Sequence, residues 1–348
     1  MSKILCFHMG YATIDRKINY GSEIALLNLA NQLKKYYIIY VFSQNVAVDF
    51  ELDGIYIKSA SSFKNFSENN IIDIVIVSRY LNVFIYNTII ARKIFIWVHD
   101  ILFQSSFNGQ CLPNSGSDFY NNISHKIDGV IVLSQYHKQF MMQSYNIPEN
   151  KVYIIGNAIN TDAFCQPVIK NKYKFIYTSY PSRGLDLLLK IFPRIRDEFK
   201  CAELHIYRDY STFTKEQLHT IASHSEYIFA HGFKKNEDLI GEFQSSNIWL
   251  YPTDFIETYC ISALEAQMAG CLCITSPKGS LSEIVGNRGV LIEGEYGEES
   301  YISNVLSTVR VHLNSDLYSN KIKRAKEWAS NQNWKSISEK WISIFQEN

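Results

Sequence analysis

Apolar residues in this chain gather in short continuous runs. The first half carries KILCF, YYIIYVF, DIVIVS, KIFIWV, GVIVLS and KVYIIG, and the second KFIYTS, AELHIY, EYIFA, NIWLYP, CLCIT and GVLI. Runs that do not alternate with polar residues suit strands covered on both faces, as in parallel sheets flanked by helices. Helical spacing fills the intervals. In GSEIALLNLANQLKK, Leu26, Leu29, Ala30 and Leu33 share one stripe, Ser22 suits an N-cap, and the two lysines suit the negative end. In GLDLLLKIFPRIRDEF, Leu185, Leu188, Leu189, Phe192 and Phe199 keep the same period, and Pro193 is expected to kink or divide the helix. Strand and helix alternate twice over. That predicts two doubly wound α/β domains, with ligands at the carboxyl ends of the strands and in a cleft between domains.

At 348 residues the chain exceeds one ordinary core. Periodicity fades in NAINTDAFCQPVIKNKYK, residues 157–174, which sets the expected domains at 1–160 and 161–332. The closing stretch, KIKRAKEWASNQNWKSISEKWISIFQEN, reads as amphipathic helix broken near Asn331 to Asn333. Its last helix, about 333–348, is free to pack back on the first domain.

Composition narrows the partners. Hydrophobic residues at 47% and charged residues at 20% describe a chain that buries large cores. With a formal net charge of +0 and no long run of lysine or arginine, it offers neither a nucleic-acid track nor an electrostatic membrane anchor. The seven cysteines are scattered and lack Cys-x-x-Cys spacing, so they read as reduced thiols of a cytoplasmic protein. Cys271 and Cys273 alternate on one face of a buried strand. No apolar stretch reaches the length of a secretory signal or a bilayer span, so a soluble protein is expected, with peripheral membrane contact left open.

Chemistry concentrates in DFIETYCISALEAQMAG, where Glu257 and Glu265 stand eight positions apart in an apolar segment. If a helix begins near Tyr259 to Ser262, after the strand NIWLY, its free N–H groups and dipole favour an anionic group. Glu257, in the loop before it, and Glu265, one to two turns inside, are then placed to accept hydrogen bonds from hydroxyls at either end of a ligand. Singly, Glu257 also fits a helix-terminus charge and Glu265 a surface acid. The neighbours Ala263, Leu264, Ala266 and Met268 make that segment too apolar for an idle charge.

YPTDFIETYCISALEAQMAGCLCIT resembles the signature of the retaining GT-B glycosyltransferases of glycosyltransferase family 4 (glycosyl transferases group 1), whose two acids form an E-x7-E arrangement. NYGSEIALLNLANQL, VIVLSQYHKQFMMQSYNIPENKVYIIGNAIN, YTSYPSRGLDLLLKIFPRIR, HGFKKNEDLIGEFQSSNIWLYPT and SLSEIVGNRGVLI resemble further segments of the family, in its order, over about residues 1–295. The resemblance implies a GT-B fold, two doubly wound Rossmann-like domains facing each other across a cleft, with the acceptor on the first and the donor on the second. It implies Glu257, Arg183 and His99 at the catalytic centre. Gly21, Ser179, Gly184, Thr258, Tyr259, Cys260 and Ile261 would line the donor's diphosphate and sugar, and Glu265, Phe233 and Lys234 its nucleoside.

The match is incomplete in two places. The family usually sets an arginine and a lysine six residues apart before the second domain's first helix. Here Arg183 stands at the lysine and Tyr177 at the arginine, leaving Thr178 and Ser179 as neutral donors. The plain alternative for Arg183 is a surface salt bridge to Asp186. Where the family often has two glycines, this chain has Tyr20 and Gly21. In WVHD, His99 ends a strand, and Asp100 is expected to orient it or cap the next helix.

No Asp-x-Asp motif is present, so neither a metal nor any cofactor beyond the nucleotide-sugar co-substrate is implied. The missing Gly-x-Ser-x-Gly, Gly-x-x-x-x-Gly-Lys-Ser/Thr and Gly-x-Gly-x-x-Gly patterns weigh against a hydrolase, an ATPase and a nicotinamide dehydrogenase. The function implied is retaining transfer of a hexose from a nucleotide-diphosphate sugar to a hydroxyl of a carbohydrate or glycoconjugate acceptor, the departing phosphate taking the acceptor's proton. GDP-mannose is the first donor by family habit and a UDP-hexose the second. A nucleotide-sugar epimerase shares the fold and donor, and Tyr177 keeps open a silent protein that binds a nucleotide sugar or a partner.

Overall fold

A computed structural model of the chain describes residues 3–9, 21–86, 88–103 and 116–347. Tyr20 and Cys111 lie outside the described residues. The chain divides into two compact units, Met1–Ala158 with Trp334–Asn348, and Ile159–Asn333.

Unit 1 is built on an eight-stranded sheet ordered β3-β4-β2-β1-β5-β6-β7-β8. The strands are β1 (Ile4–His8), β2 (Ile38–Ser43), β3 (Phe50–Leu52), β4 (Ile55–Ser59), β5 (Ile74–Ser78), β6 (Lys93–Trp97), β7 (Gly129–Val132) and β8 (Val152–Ile154). Only the short edge strand β3 pairs antiparallel. The helices α1 (Gly21–Leu33), α2 (Phe63–Asn69), α3 (Val83–Tyr86), α4 (Gly116–Ser124) and α5 (Gln135–Tyr145) connect them. The central strands β5 and β7 are buried along their whole length, which is why their sequences do not alternate.

Unit 2 carries an all-parallel six-stranded sheet ordered β11-β10-β9-β12-β13-β14. Its strands are β9 (Asn171–Tyr177), β10 (Glu203–Ile206), β11 (Ile228–Ala230), β12 (Ser246–Tyr251), β13 (Leu272–Thr275) and β14 (Val290–Leu291). Its helices are α6 (Leu185–Glu198), α7 (Lys215–Ser223), α8 (Asn236–Ser245), α9 (Ile261–Met268), α10 (Leu281–Ile284), α11 (Glu299–Asn314) and α12 (Ser319–Ser330). Cys271 and Cys273 are buried at β13, the first donating to carbonyls of the α8–β12 junction.

Two local expectations are corrected. Helix α6 runs unbroken through Pro193. A mid-helix proline costs about 3 kcal/mol. Seven buried side chains, Leu185, Leu187, Leu188, Leu189, Ile191, Phe192 and Ile195, hold that face down, and each such burial returns about 1.5–3 kcal/mol. Ser22 is not an N-cap, because it already lies within α1 and its hydroxyl donates to the Glu23 carboxylate at 2.9 Å.

The break at residues 331–333 separates α12 from α13 (Trp334–Gln346), which belongs to unit 1. There Trp341 meets Trp97 edge to face with ring centroids 5.1 Å apart, and Lys93 Nζ donates to the Phe345 carbonyl at 3.0 Å.

Candidate functional site

In unit 2 the chain leaves β9 for β10 and β11 on one side, then returns to place β12 on the other. The loops after β9 and β12 therefore meet at a topological switch point, where open α/β sheets bind ligands. Arg183 comes from the first loop and Glu257 from the second. Arg183 Nη1 lies 3.3 Å from Glu257 Oε1, which also accepts the Tyr251 hydroxyl at 2.8 Å. The guanidinium carbon stands 4.0 Å from the Phe255 ring centroid, a cation–π contact that fixes its plane. Glu257 is only 5% exposed. Burial raises its carboxyl above the usual range, and Arg183 and Tyr251 offset that only in part. The alternative partner for Arg183, Asp186, is not the one it takes. Asp186 instead accepts from Gln217 at 2.9 Å, on the stripe of α6 that meets α7.

Two glycines close this corner. Gly184, at φ 114°, caps the turn of residues 181–183 and lies so close to Pro252 that a Cβ would strike its carbonyl oxygen. Gly279, at φ 56°, packs in the same way on the backbone of Glu257, whose carbonyl accepts the Ser280 N–H at 2.8 Å. Both loops are thus held against the residues on either side of the ion pair.

From Glu257 the chain passes through Thr258 and Tyr259, both partly buried, and buried Cys260 into α9, whose first residue is Ile261. Cys260 makes no side-chain cap hydrogen bond, and the first N–H groups of a helix have no partner within it. Glu265 sits on the fifth position of that helix, partly buried, its carboxylate with no hydrogen-bond or ion-pair partner among the described residues. Burial pushes its carboxyl up to about 8.

Tyr177 has no hydroxyl proton to give a phosphate, because it donates to the Tyr180 carbonyl at 2.9 Å from a fully buried ring. Next to it the Thr178 hydroxyl is buried and unpartnered, and Ser179 is partly buried. A cation absent from the expected set stands here: Arg208, just past β10, places its guanidinium 5.3 Å from the Tyr180 ring. Its one sequence signal was its place at the carboxyl end of the run AELHIY. Beside the same turn, a hollow of about 340 Å³ is lined by Ser182, Gly184, Asp186, Lys190, Asp254 and Tyr296; its two carboxylates make it a poor phosphate site.

Phe233 and Lys234 belong to another cluster, past β11. Phe233 is exposed, whereas Lys234 Nζ is 2.5 Å from Glu242, whose other oxygen takes Lys174 at 2.5 Å and Tyr207 at 2.6 Å. Burial works to raise the Glu242 carboxyl, and the two lysines and the phenol overcome it, holding it at about 2. Lys234 is therefore committed to an internal ion pair.

In unit 1, Gly21 lies in α1, and His99 lies past the end of β6. His99 Nε2 is 3.2 Å from Ser78 Oγ, with its ring 4.5 Å from that of Trp97. Burial, with Arg79 and His137 adding to it, pushes His99 down to about 3, so it is neutral at physiological pH. Among the described residues the Asp100 carboxylate makes no contact with His99 and caps no helix. That group takes a two-pronged contact from Arg79, at 2.7 and 3.1 Å, while the Asp100 carbonyl meets His137.

Residues 173–310 match the family described as Glycosyl transferases group 1. No curated protein matches the chain. Solved structures share its fold along nearly the whole length. A glycosyltransferase from Rickettsia africae ESF-5 is 17% identical with a TM-score of 0.76, covering 99% of this chain and 98% of that one. Anabaena HepE, solved in complex with UDP, is 15% identical with a TM-score of 0.76 over 99% and 100%. A sucrose-phosphate synthase from Thermosynechococcus elongatus is 12% identical with a TM-score of 0.75 over 98% of each chain. The chain has the GT-B fold, two parallel-sheet α/β units, and most of its second unit, Arg183, Glu257 and Glu265 included, falls within the match to group 1 glycosyl transferases.

Proposed function

We propose that this protein is a retaining glycosyltransferase that takes a hexose from a nucleotide-diphosphate sugar and passes it to a hydroxyl of a carbohydrate or glycoconjugate. The observation that carries the reading is the Arg183–Glu257 pair at the switch point of unit 2, followed on the same segment by an uncapped helix and an unpartnered acid. Arg183 keeps further N–H groups to fork onto phosphate oxygens as charge grows on the leaving group, and the uncapped N–H groups of α9 add fixed donors. Glu257 is held by Arg183 and Tyr251 through one oxygen, which suits positioning of a sugar hydroxyl. The leaving phosphate is left to take the acceptor's proton, and no metal is needed to meet its charge. Thr178 and Arg208 supply what the missing arginine at Tyr177 does not. Glu265 receives the ribose hydroxyls, and Phe233 lies near the base.

The UDP held by Anabaena HepE favours a UDP-hexose over GDP-mannose as donor. A thermal-shift panel of UDP, GDP, ADP and their sugars tests the reading, since a ligand of the folded state raises its melting point. Stabilisation by one nucleotide, with donor consumption only when an acceptor is added, is the expected result. Conversion of donor alone would point to an epimerase, binding without turnover to a silent protein, and no stabilisation by any nucleotide overturns the proposal.

A further inference from the structure

Unit 1 has its own switch point between β1 and β5, and one residue reaches across it. Ser78, Arg79 and Tyr80 form a γ-turn at the end of β5: the Tyr80 N–H donates to the Ser78 carbonyl at 2.7 Å, and Arg79 has φ 66°. A γ-turn with positive φ is the rare, strained form. The other described non-glycine residues with positive φ are Asp53 and Asn146, types that tolerate it. Glycine at position 79 would carry no such strain, and the outlying backbone at an arginine directs attention to what its side chain does. The guanidinium forks onto Asp100 through Nε and Nη2, and its Nη1 lies 3.3 Å from Ser22 Oγ in the first turn of α1. Both charged side chains remain about a quarter open, at 28% and 27%.

We infer that Arg79 and Asp100 form a hydroxyl-binding pair for an uncharged sugar, the acceptor of the proposed transfer. A carboxylate and a guanidinium side by side accept from one hydroxyl and donate to the next, the complement of a vicinal diol. Charge selects against anions. Among the described residues Arg79 brings +1, and Asp100 and buried Glu23 bring −1 each, a local sum of −1. His99, held neutral, adds nothing. The assignment of this sugar as an acceptor rests on the transferase reading; the ligand chemistry of the pair does not.

Saturation-transfer NMR on the full chain, with methyl α-mannopyranoside and methyl α-glucopyranoside against glucose 1-phosphate and glucuronate, tests the pair. The neutral glycosides are expected to bind in preference. Arg79→Gly and Asp100→Asn should each weaken them at least about tenfold, the scale of one charge-assisted hydrogen bond. Because glycine relieves the turn, Arg79→Gly should melt within about 3 °C of the parent, with the shift caused by UDP or GDP unchanged. Equal or better binding of the anionic sugars, no signal from neutral ones, retained binding in Arg79→Gly, or a melting point that collapses with the binding each overturn the inference. Failure of the transferase reading shows separately, as a parent protein that no nucleotide diphosphate stabilises while the glycoside result stands.

Discussion

The Arg183 guanidinium lies 3.3 Å from the Glu257 carboxylate although 74 positions separate them in the chain. The contact makes each residue part of the other's environment, so variants at the two sites should fail differently. Arg183→Ala removes a cation from the phosphate site and leaves a buried carboxylate without its charge partner. Nucleotide-diphosphate affinity should fall about ten- to a hundredfold, with about 1–3 kcal/mol of stability lost. Glu257→Ala leaves Arg183 free to meet phosphate, so affinity should stay within a few-fold while turnover drops about a hundredfold. Calorimetry with UDP and GDP and a donor-consumption assay check both, and unchanged activity in the two variants removes the assignment.

The geometry of that pair depends on two glycines with no room for a Cβ. Gly184→Ala and Gly279→Ala must accept a positive φ and also push on the backbone of Pro252 and Glu257 respectively. Gly297→Ala provides the comparison, because it has φ 86° with nothing within 4 Å of the added carbon. The open site should lose about 1 kcal/mol, and the two closed sites about 3 kcal/mol or more. Urea denaturation distinguishes these values.

How much of this was legible in the sequence follows from the range of the interactions involved. Continuous apolar runs are a local property, and every run named above contributes to a strand. The acids of the E-x7-E spacing and the cation before α6 were also readable, since each lies in a short segment of distinctive composition. Their pairing was not, because sequence offers Asp186 as the near partner and cannot show that packing at Gly184 and Gly279 brings Glu257 closer. Arg79 was missed for a related reason. Its left-handed backbone is set partly by the N–H it donates to the Trp97 carbonyl at 2.9 Å, a contact with the neighbouring strand. Ser22 and Pro193 misled because local propensity was overruled, at one by a helix that already includes Gly21 and at the other by a buried helix face.

Helix α13 follows unit 2 in the chain but packs in unit 1, where Trp341 is fully buried against Trp97. Trp341→Ala should therefore cost about 3–5 kcal/mol, confined to unit 1. Hydrogen exchange should show amides of β5, β6 and β7 losing protection while those of β9 and β12 keep theirs. Uniform loss across both sheets is the result that contradicts this.

Metal removal offers a direct check on the proposed chemistry. If Arg183, the α9 N–H groups and neighbouring donors meet the phosphate charge, EDTA should leave donor turnover unchanged within error, and added Mg²⁺ or Mn²⁺ should not raise it. Loss of activity in EDTA, restored by either ion, would require a metal on the donor phosphates.

Glu265 gives the proposal a pH signature. Its carboxyl moves from an ordinary 4.5 to about 8 through burial alone. A folded-state acid with a raised value binds its proton more tightly than the unfolded chain does. The native state therefore gains on this account below about 4.5, and the gain is lost as pH rises toward 8. Melting points of the parent should fall between pH 5 and pH 9 relative to those of Glu265→Gln, whose amide does not titrate. Ribose hydroxyls donating to the ionised carboxylate reverse the balance on binding, so nucleotide affinity should rise with pH over the same interval. At pH 7, association should release a proton, visible as a binding enthalpy that depends on the ionisation enthalpy of the buffer. Glu265→Gln should abolish both the pH trend and the proton release, and a parent protein that binds nucleotide with no proton release at pH 7 would place the ribose elsewhere.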